Sequence, residues 1–505
     1  MSNYERLTAL DASFIGLEDT RCHMHVGGVF IFDAKPVRTE AGGIDIEHIR
    51  RSIESKLHLV PRFRQKLAYL PYEQLPIWVD DDRFRLHYHV RHSALPRPGD
   101  ERTLKRMAAR IQSQRLDRSR PLWEMWFVEG LEGDRFALVT KTHHCMIDGI
   151  SGADLMSVLM ELEPNPAPSP PMPWVPRPRP SETDLIVDEV RRRIRQPLAL
   201  LDAVRERVRD PEAALHSIED SLSALAQTLT PALNPASDTP LNVEVGPSRR
   251  FDWTDMRVDE LKAVKNELGG TLNDVVLAIV AGALRKFLIG RGRDPDDLDV
   301  RAMVPVSVRS TDERGALGNR IAEMVADLPV HLDDPVERLR AVRATMSDLK
   351  ESKQAIGAEM LTAIAEWTVP TVLVQAVRMT ARARPYNLVV TNVPGPQLSL
   401  YLAGCQMLTS YPVVPLFRQQ ALVVGLFSYD GGLFWGFNAD WETIPDLHEF
   451  VAYIVDAFEE LQRRAKPRKH RAAKQIKRGS SKRRKGKAST TRAKAARRAR
   501  ESGVA

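Results

Sequence analysis

A chain of 505 residues is longer than one ordinary core can organise, so two domains are the default. Its 43% apolar and 28% charged residues exclude a disordered or fibrous protein, and three cysteines (Cys22, Cys145, Cys405) without a CxxC pair argue for a reducing compartment and against a zinc site. The net charge of +7 joins two unlike parts: residues 466–505 carry 17 Lys/Arg against one acid, and the remainder carries 56 Lys/Arg against 65 Asp/Glu.

Met1 to Asp11 has no apolar core of a secretory signal. The longest apolar run, Val275 to Leu284, is far short of the roughly 20 residues that cross a bilayer. A soluble or peripheral protein is expected, lying in the cytoplasm against the inner membrane or lipid droplets.

Residues 1–162 read as one α/β unit. Val29 to Phe32 forms a strand, with Gly27-Gly28 permitting a turn or bulge before it. Asp45 opens a helix to Lys56 with Ile46, Ile49 and Ile53 on one side. Arg85 to Val90 alternates as a strand that puts His87 and His89 on one face. His87, His89 and His92 lack a companion carboxylate or cysteine cluster, as do His23 and His25, so solvated strand faces are favoured over metal sites. A helix from Thr103 to Arg115 leads to Pro121-Leu122-Trp123 and a strand from Trp123 to Val128.

Phe136, Leu138 and Thr140 alternate with Ala137, Val139 and Lys141 as the strand before His143-His144-Cys145-Met146-Ile147-Asp148-Gly149. Beyond it, Ser151 and Asp154 have capping-box spacing, and Leu155, Val158, Leu159 and Leu162 recur with helical period. Adjacent strand residues face opposite ways, so only one of the two histidines can enter a given cleft and the other is packed. An imidazole titrates near neutrality and is the usual general base. Cys145 diverges from His144 for the same reason, which argues against a thiol nucleophile.

Residues 163–244 form a connector. Nine prolines between 164 and 180 give an extended, polyproline-like linker. Two helices follow over 182–230, the first arginine-rich and split by Pro197, suited to an anionic membrane surface or to packing on the body. Residues 245–462 read as a second α/β unit. In it a helix ends at Gly269-Gly270, and Thr271 with Asp274 caps an apolar helix from Val275 to Ile289. Met303 to Val308 is a strand, Ala421 to Phe427 and Leu433 to Asn438 pair across Asp430-Gly431, and a last helix carries Leu447, Phe450, Val451, Ile454 and Phe458. Residues 463–505 are a basic tail with almost no large apolar residue, which cannot bury a core.

His-His, three variable residues and Asp-Gly match the signature of the coenzyme-A-dependent acyltransferase superfamily. The chain further resembles the bacterial wax ester synthase/diacylglycerol acyltransferase family over roughly 1–162 and 245–462. The resemblance rests on Leu10-Asp11-Ala12-Ser13-Phe14, Met24-His25-Val26-Gly27-Gly28, Pro61-Arg62-Phe63-Arg64, Pro121-Leu122-Trp123 and His143 to Gly149. Asn273-Asp274-Val275-Val276, Pro305 to Arg309, Gly318-Asn319-Arg320, Thr391 to Pro396 and Tyr401 to Gly404 continue it in the same order.

That resemblance implies two chloramphenicol-acetyltransferase-like domains with the active site in a cleft or tunnel between them. It implies acyl-CoA as donor, diacylglycerol or a fatty alcohol as acceptor, and neither a metal nor a cofactor. His144 would be the general base, supported by His143. Asp148 would turn away and pair with Arg309. Asn273 and Gly149 would lie beside substrate, while Pro121, Leu122, Trp123 and Asp274 would be structural, the first three at the domain interface. A condensation-type enzyme using carrier-protein thioesters keeps the same fold. A non-enzymatic reading, a binding protein whose tail grips anionic lipid or nucleic acid, is disfavoured for nucleic acid because the tail has no aromatic residue for base stacking.

Overall fold

The structure is a computed structural model that describes residues 4–70, 73–146, 158–164, 170–181, 183–188, 235–307, 321–351 and 384–466. The loop holding Asp148 and Gly149, the Ser151 helix start, most of 182–230, Arg309, Gly318-Asn319-Arg320 and residues 467–505 lie outside the described residues.

In chain order the strands are β1 (Glu5–Arg6), β2 (His25–Asp33), β3 (Gln65–Leu70), β4 (Glu73–Asp80), β5 (Val90–Ala94), β6 (Trp123–Leu131), β7 (Arg135–His143), β8 (Arg249–Arg257), β9 (Val300–Ser307) and β10 (Ile321–Leu328). They continue with β11 (Leu388–Pro394), β12 (Tyr401–Leu402), β13 (Cys405–Val413), β14 (Leu422–Tyr429) and β15 (Gly432–Asp440). The principal helices are α1 (Ala9–Leu17), α2 (Ile46–Lys56), α3 (Leu86–His89), α4 (Glu101–Ser113), α5 (Val258–Leu268), α6 (Leu272–Gly290), α7 (Pro335–Glu351) and α8 (Leu447–Ala465).

Two six-stranded sheets form the halves of an α/β molecule. The first has the order β12-β13-β2-β7-β6-β5 and the second β10-β9-β11-β14-β15-β8, while β1-β4-β3 make a small third sheet. The C-terminal unit does not stay whole: residues 401–413 leave it, and β13 runs antiparallel to β2 in the first sheet. A sequence cut at 245 cannot show this, because the alternation that makes β13 a strand is silent about which sheet edge receives it.

Local expectations hold where chemistry fixes them. Asp45 caps α2 by accepting from His48 N–H, and Thr271 and Asp274 form a reciprocal capping box at the start of α6. The Asp430-Gly431 turn has φ of 43° and 78°, which suits the tight hairpin between β14 and β15.

Two local expectations fail. Gly27-Gly28 is neither turn nor bulge; both glycines lie inside β2, in continuous register with Lys141 and Thr140. A Cβ at Gly27 would overlap Thr140 O, so close strand approach is what requires glycine there. Residues 86–89 form a helical turn rather than a strand. His89 is buried there, its Nδ1–H donating to Trp123 O at 2.8 Å, between the Phe84 and Trp123 rings.

The proline-rich stretch over 170–180 has no regular structure and is strapped to the first half. Arg177 makes a two-pronged contact with Asp80, at 2.8 and 3.1 Å, and Trp174 faces Phe84 and the Arg64 guanidinium.

The apolar cores of the two halves interleave. Cys22 and Met24 belong to the C-terminal core, against which Phe14 and Leu17 of α1 pack. Phe251, Trp253, Phe427, Tyr429 and Phe434 belong to the N-terminal core. Lys105 of α4 pairs with Asp252 at 2.6 Å and covers the Trp253 ring, while Arg249 N–H donates to Ser113 Oγ at 2.9 Å.

Candidate active site

The two adjacent histidines stand where β7 ends and a single 3-10 turn, His144–Met146, begins. Strand pairing sets this end. His143 pairs with His25 of β2, His143 N–H donates to Leu122 O at 2.9 Å, and His144 N–H donates to Met24 O at 2.8 Å. Lys141, two residues earlier, is fully buried. Its ammonium donates to the carbonyls of Ile111 and Gln114 at the end of α4, 3.1 and 2.9 Å away, and sits 3.3 Å from Glu124. A cation on the negative end of a helix anchors α4 to the strand that carries the histidines.

The expected divergence is present. His143 is buried, and its Nδ1 accepts Cys145 N–H at 3.2 Å with Cys145 Sγ 3.0 Å away. That acceptor role places the proton on Nε2, which faces Glu18 Oε2 at 3.8 Å. His144 is only half-buried. Its ring stacks on Phe14 with centroids 3.9 Å apart and planes 27° apart, which covers one face.

Burial lowers both imidazoles from the usual 6.5, His143 to about 3 and His144 to about 4. Both are therefore neutral at pH 7. Burial pushes the Cys145 thiol well above 9, so it stays protonated and donates rather than attacks. Cys145→Ala should keep acyl transfer within about twofold of the parent and destabilise by roughly 1 kcal/mol, read from initial rates and urea midpoints. Abolished turnover in a folded variant would restore the thiol as a candidate nucleophile.

Around His143 lies a charged cluster that spacing in the sequence did not reveal. Glu18, the C-cap residue of α1, has a side chain only 1% exposed. Arg118 Nε donates to its Oε2 at 2.9 Å, Arg118 Nη2 reaches the same oxygen, and Arg115 lies 3.3 Å away. His25 Nε2 is 3.6 Å from its other oxygen, with the His23 and His143 rings at 5.5 and 6.2 Å from the His25 ring. Burial alone would raise the carboxyl, but the positive charge beside it, with Arg118 donating to Oε2, holds it far below the usual carboxylate range. At neutral pH His25 and His143 are uncharged, so the standing counter-charge is Arg118. His23 and His25 are buried, not on a solvated strand face, His25 against Glu18 and the His23 ring and His23 beside Thr20 O. No group of metal-holding His, Cys, Asp or Glu occurs among the described residues.

The remaining site residues fall elsewhere. Leu122 and Trp123 are fully buried, and the Trp123 ring stacks on Phe63 and His89, with its indole N–H donating to Phe63 O at 2.8 Å. These Trp123 contacts lie inside the first half, in a core that also takes Phe251 and Trp253 from the second. Asn273 is half-buried in the first turn of α6, and Asp274 is committed to its cap. Among the described residues no hydrogen bond or ion pair joins either to His143 or His144. Asp148, Gly149 and Arg309 lie outside the described residues.

Residues 7–276 match the wax ester synthase/diacylglycerol acyltransferase catalytic domain, and residues 317–462 match the C-terminal domain of the same family. A Mycobacterium tuberculosis (strain ATCC 25618 / H37Rv) protein named as a probable diacylglycerol O-acyltransferase, tgs1, is 32% identical over 474 residues, covering 92% of this chain and 97% of its own. A second protein of that strain, named as a probable diacylglycerol O-acyltransferase, tgs2, is 33% identical over 459 residues, covering 90% and 97%. The solved wax ester synthase/diacylglycerol acyltransferase from Marinobacter aquaeolei VT8 superposes with a TM-score of 0.66 at 26% identity, over 91% of this chain and 99% of that one. The first condensation domain of the calcium-dependent antibiotic synthetase shares the fold, with a TM-score of 0.56 at 15% identity over 91% and 97%. With both domain matches in order and the histidine pair at the end of β7, the chain belongs to the wax ester synthase/diacylglycerol acyltransferase family and is an acyltransferase of two chloramphenicol-acetyltransferase-like halves.

Proposed function

We propose that the protein transfers a long-chain fatty acyl group from acyl-CoA to the hydroxyl of diacylglycerol, and also to fatty alcohols, with His144 as general base and no covalent acyl-enzyme. The observation that carries this reading is the division of labour in the pair: His143 is buried and hydrogen-bonded, whereas His144 is half-buried and its ring is neutral.

The acceptor oxygen attacks the thioester carbonyl while His144 takes its proton. The tetrahedral intermediate collapses, the C–S bond breaks, and the imidazolium returns the proton to the CoA thiolate. An imidazole held near 4 is a reluctant acceptor but a strong donor, which suits the second half of that cycle. Asn273 and Gly149 stand beside substrate in this reading, and Asp148 pairs with Arg309 to fix the loop. The donor set calls for no cofactor, acyl-CoA being a substrate.

Because the folded pKa of His144 is depressed, the base form persists as pH falls below 6.5 and is lost only near 4. kcat/KM should therefore stay flat between pH 5 and 8. A decline centred on about 6.5 would mean a solvated imidazole and would contradict the burial of the ring rather than its role as base.

No helix among the described residues is long and apolar enough to cross a membrane. Peripheral attachment to an anionic membrane or lipid-droplet surface is proposed through the basic residues 466–505. Truncation there should weaken sedimentation with anionic vesicles at low salt and spare turnover of dispersed substrate; loss of that turnover would end this division.

The function itself is tested by supplying long-chain acyl-CoA with diacylglycerol, with a fatty alcohol, and by replacing acyl-CoA with a carrier-protein thioester. Triacylglycerol formed from acyl-CoA supports the reading. Transfer only from the carrier-bound donor would replace it with the condensation-type reaction.

A further inference from the structure

We propose that Glu18 is a positioning residue for His144, acting as a clamp between α1 and the end of β7. This rests on the reading of His144 as the base.

The argument starts from connectivity. Glu18 caps α1, and its backbone N–H donates to Phe14 O at 3.1 Å. Phe14 is the residue whose ring lies 3.9 Å from that of His144. The Glu18 carboxylate meanwhile faces His143 Nε2 at 3.8 Å and His25 Nε2 at 3.6 Å, the paired residues at the ends of β7 and β2. One side chain thus ties the helix that covers the His144 ring to the strand that delivers its backbone. Arg118 closes the clamp, donating to Glu18 and, through Nη2, to Ile15 O at 3.2 Å.

The geometry also shows polar capacity beyond an Arg–Glu pair. Glu18 Oε1, His143 Nε2 and His25 Nδ1 are buried and without a hydrogen-bond partner among the described residues. With Cys145 N–H donating to Nδ1, the His143 proton sits on Nε2 and points at Glu18. The Glu18 carboxylate, 3.8 Å away, favours this tautomer by its charge rather than as a hydrogen-bond acceptor, and the tautomer keeps the Cys145 amide bond that starts the turn bearing His144. Acyl transfer as proposed uses none of these groups directly, so their conversion to neutral or shorter side chains should act through His144 placement.

The test compares Glu18→Gln, Glu18→Asp and the double variant Glu18→Gln/Arg118→Met with the parent and with His144→Ala. The readouts are kcat, KM for acyl-CoA and Tm. Glu18→Gln should lower kcat about 10- to 100-fold, the scale of a small misplacement of a reacting group, with KM within about twofold. It should also lower Tm, because the half-buried Arg118 loses its carboxylate partner. The double variant removes that charge and should recover Tm without recovering kcat. Glu18→Asp keeps the charge beside Arg118 but falls one methylene short of the histidines, and should lose kcat while staying folded. Normal kcat in Glu18→Asp, or kcat that recovers together with Tm in the double variant, would reduce Glu18 to a structural ion pair. Turnover surviving in His144→Ala would overturn the base assignment itself; an inactive His144→Ala beside a fully active Glu18→Asp would overturn the clamp alone.

Discussion

Replacing His144 by Ala should lower kcat for acyl transfer by roughly 10²- to 10⁴-fold, the usual contribution of a positioned general base, while acyl-CoA still binds. Binding should survive because the strand end is held by backbone bonds that the ring does not make, His144 N–H to Met24 O and His143 N–H to Leu122 O. Loss of the ring leaves Phe14 without its stacking partner, a local vacancy at a half-exposed position, so the fold should tolerate it. The check is kcat by ester formation alongside acyl-CoA affinity by calorimetry. An unchanged kcat would remove the imidazole from the chemistry. Lost affinity with an unfolded spectrum would show that the ring is structural.

Trp123→Ala should produce the largest stability loss of any single substitution considered, about 3–5 kcal/mol by the usual cost of emptying an aromatic site in a close-packed core. The ring is fully buried between Phe63 and His89, at 4.4 and 4.5 Å, and its indole N–H satisfies Phe63 O. His89 in turn donates to Trp123 O, and Leu122 O receives His143 N–H. The vacancy would therefore loosen the main chain that holds His143, and activity per folded molecule should fall as well. Trp123→Phe keeps most of the packing and leaves Phe63 O without its donor, so about 1–2 kcal/mol is expected. Urea midpoints measure both. A Trp123→Ala loss below about 1 kcal/mol would mean that the core closes over the gap and that this motif does not support the site.

What was legible in the sequence was what short-range chemistry decides. Capping spacing placed α6 through Thr271 and Asp274, an Asp-Gly pair placed the last hairpin, and alternation placed β7 and sent His143 and His144 to different environments. Order along the chain does not encode sheet partners, so β13 crossing into the first sheet was not legible, nor was the burial of His23 and His25. Glu18 and Arg118 lie 100 residues apart and share no spacing with the signature. Only the fold, which sets the end of α1 against the loop after α4, brings them together. His89 was misread because a two-residue period over six positions also fits a single helical turn followed by a strand.

The most direct measurement is CoA release by the purified enzyme given long-chain acyl-CoA with and without diacylglycerol, followed from the first turnover. Direct transfer with His144 as base predicts free CoA only when the acceptor is present, one for each ester formed, and no acyl group left on the protein. A burst of CoA equal to the enzyme concentration without acceptor, with the acyl group retained on a side chain, would contradict it.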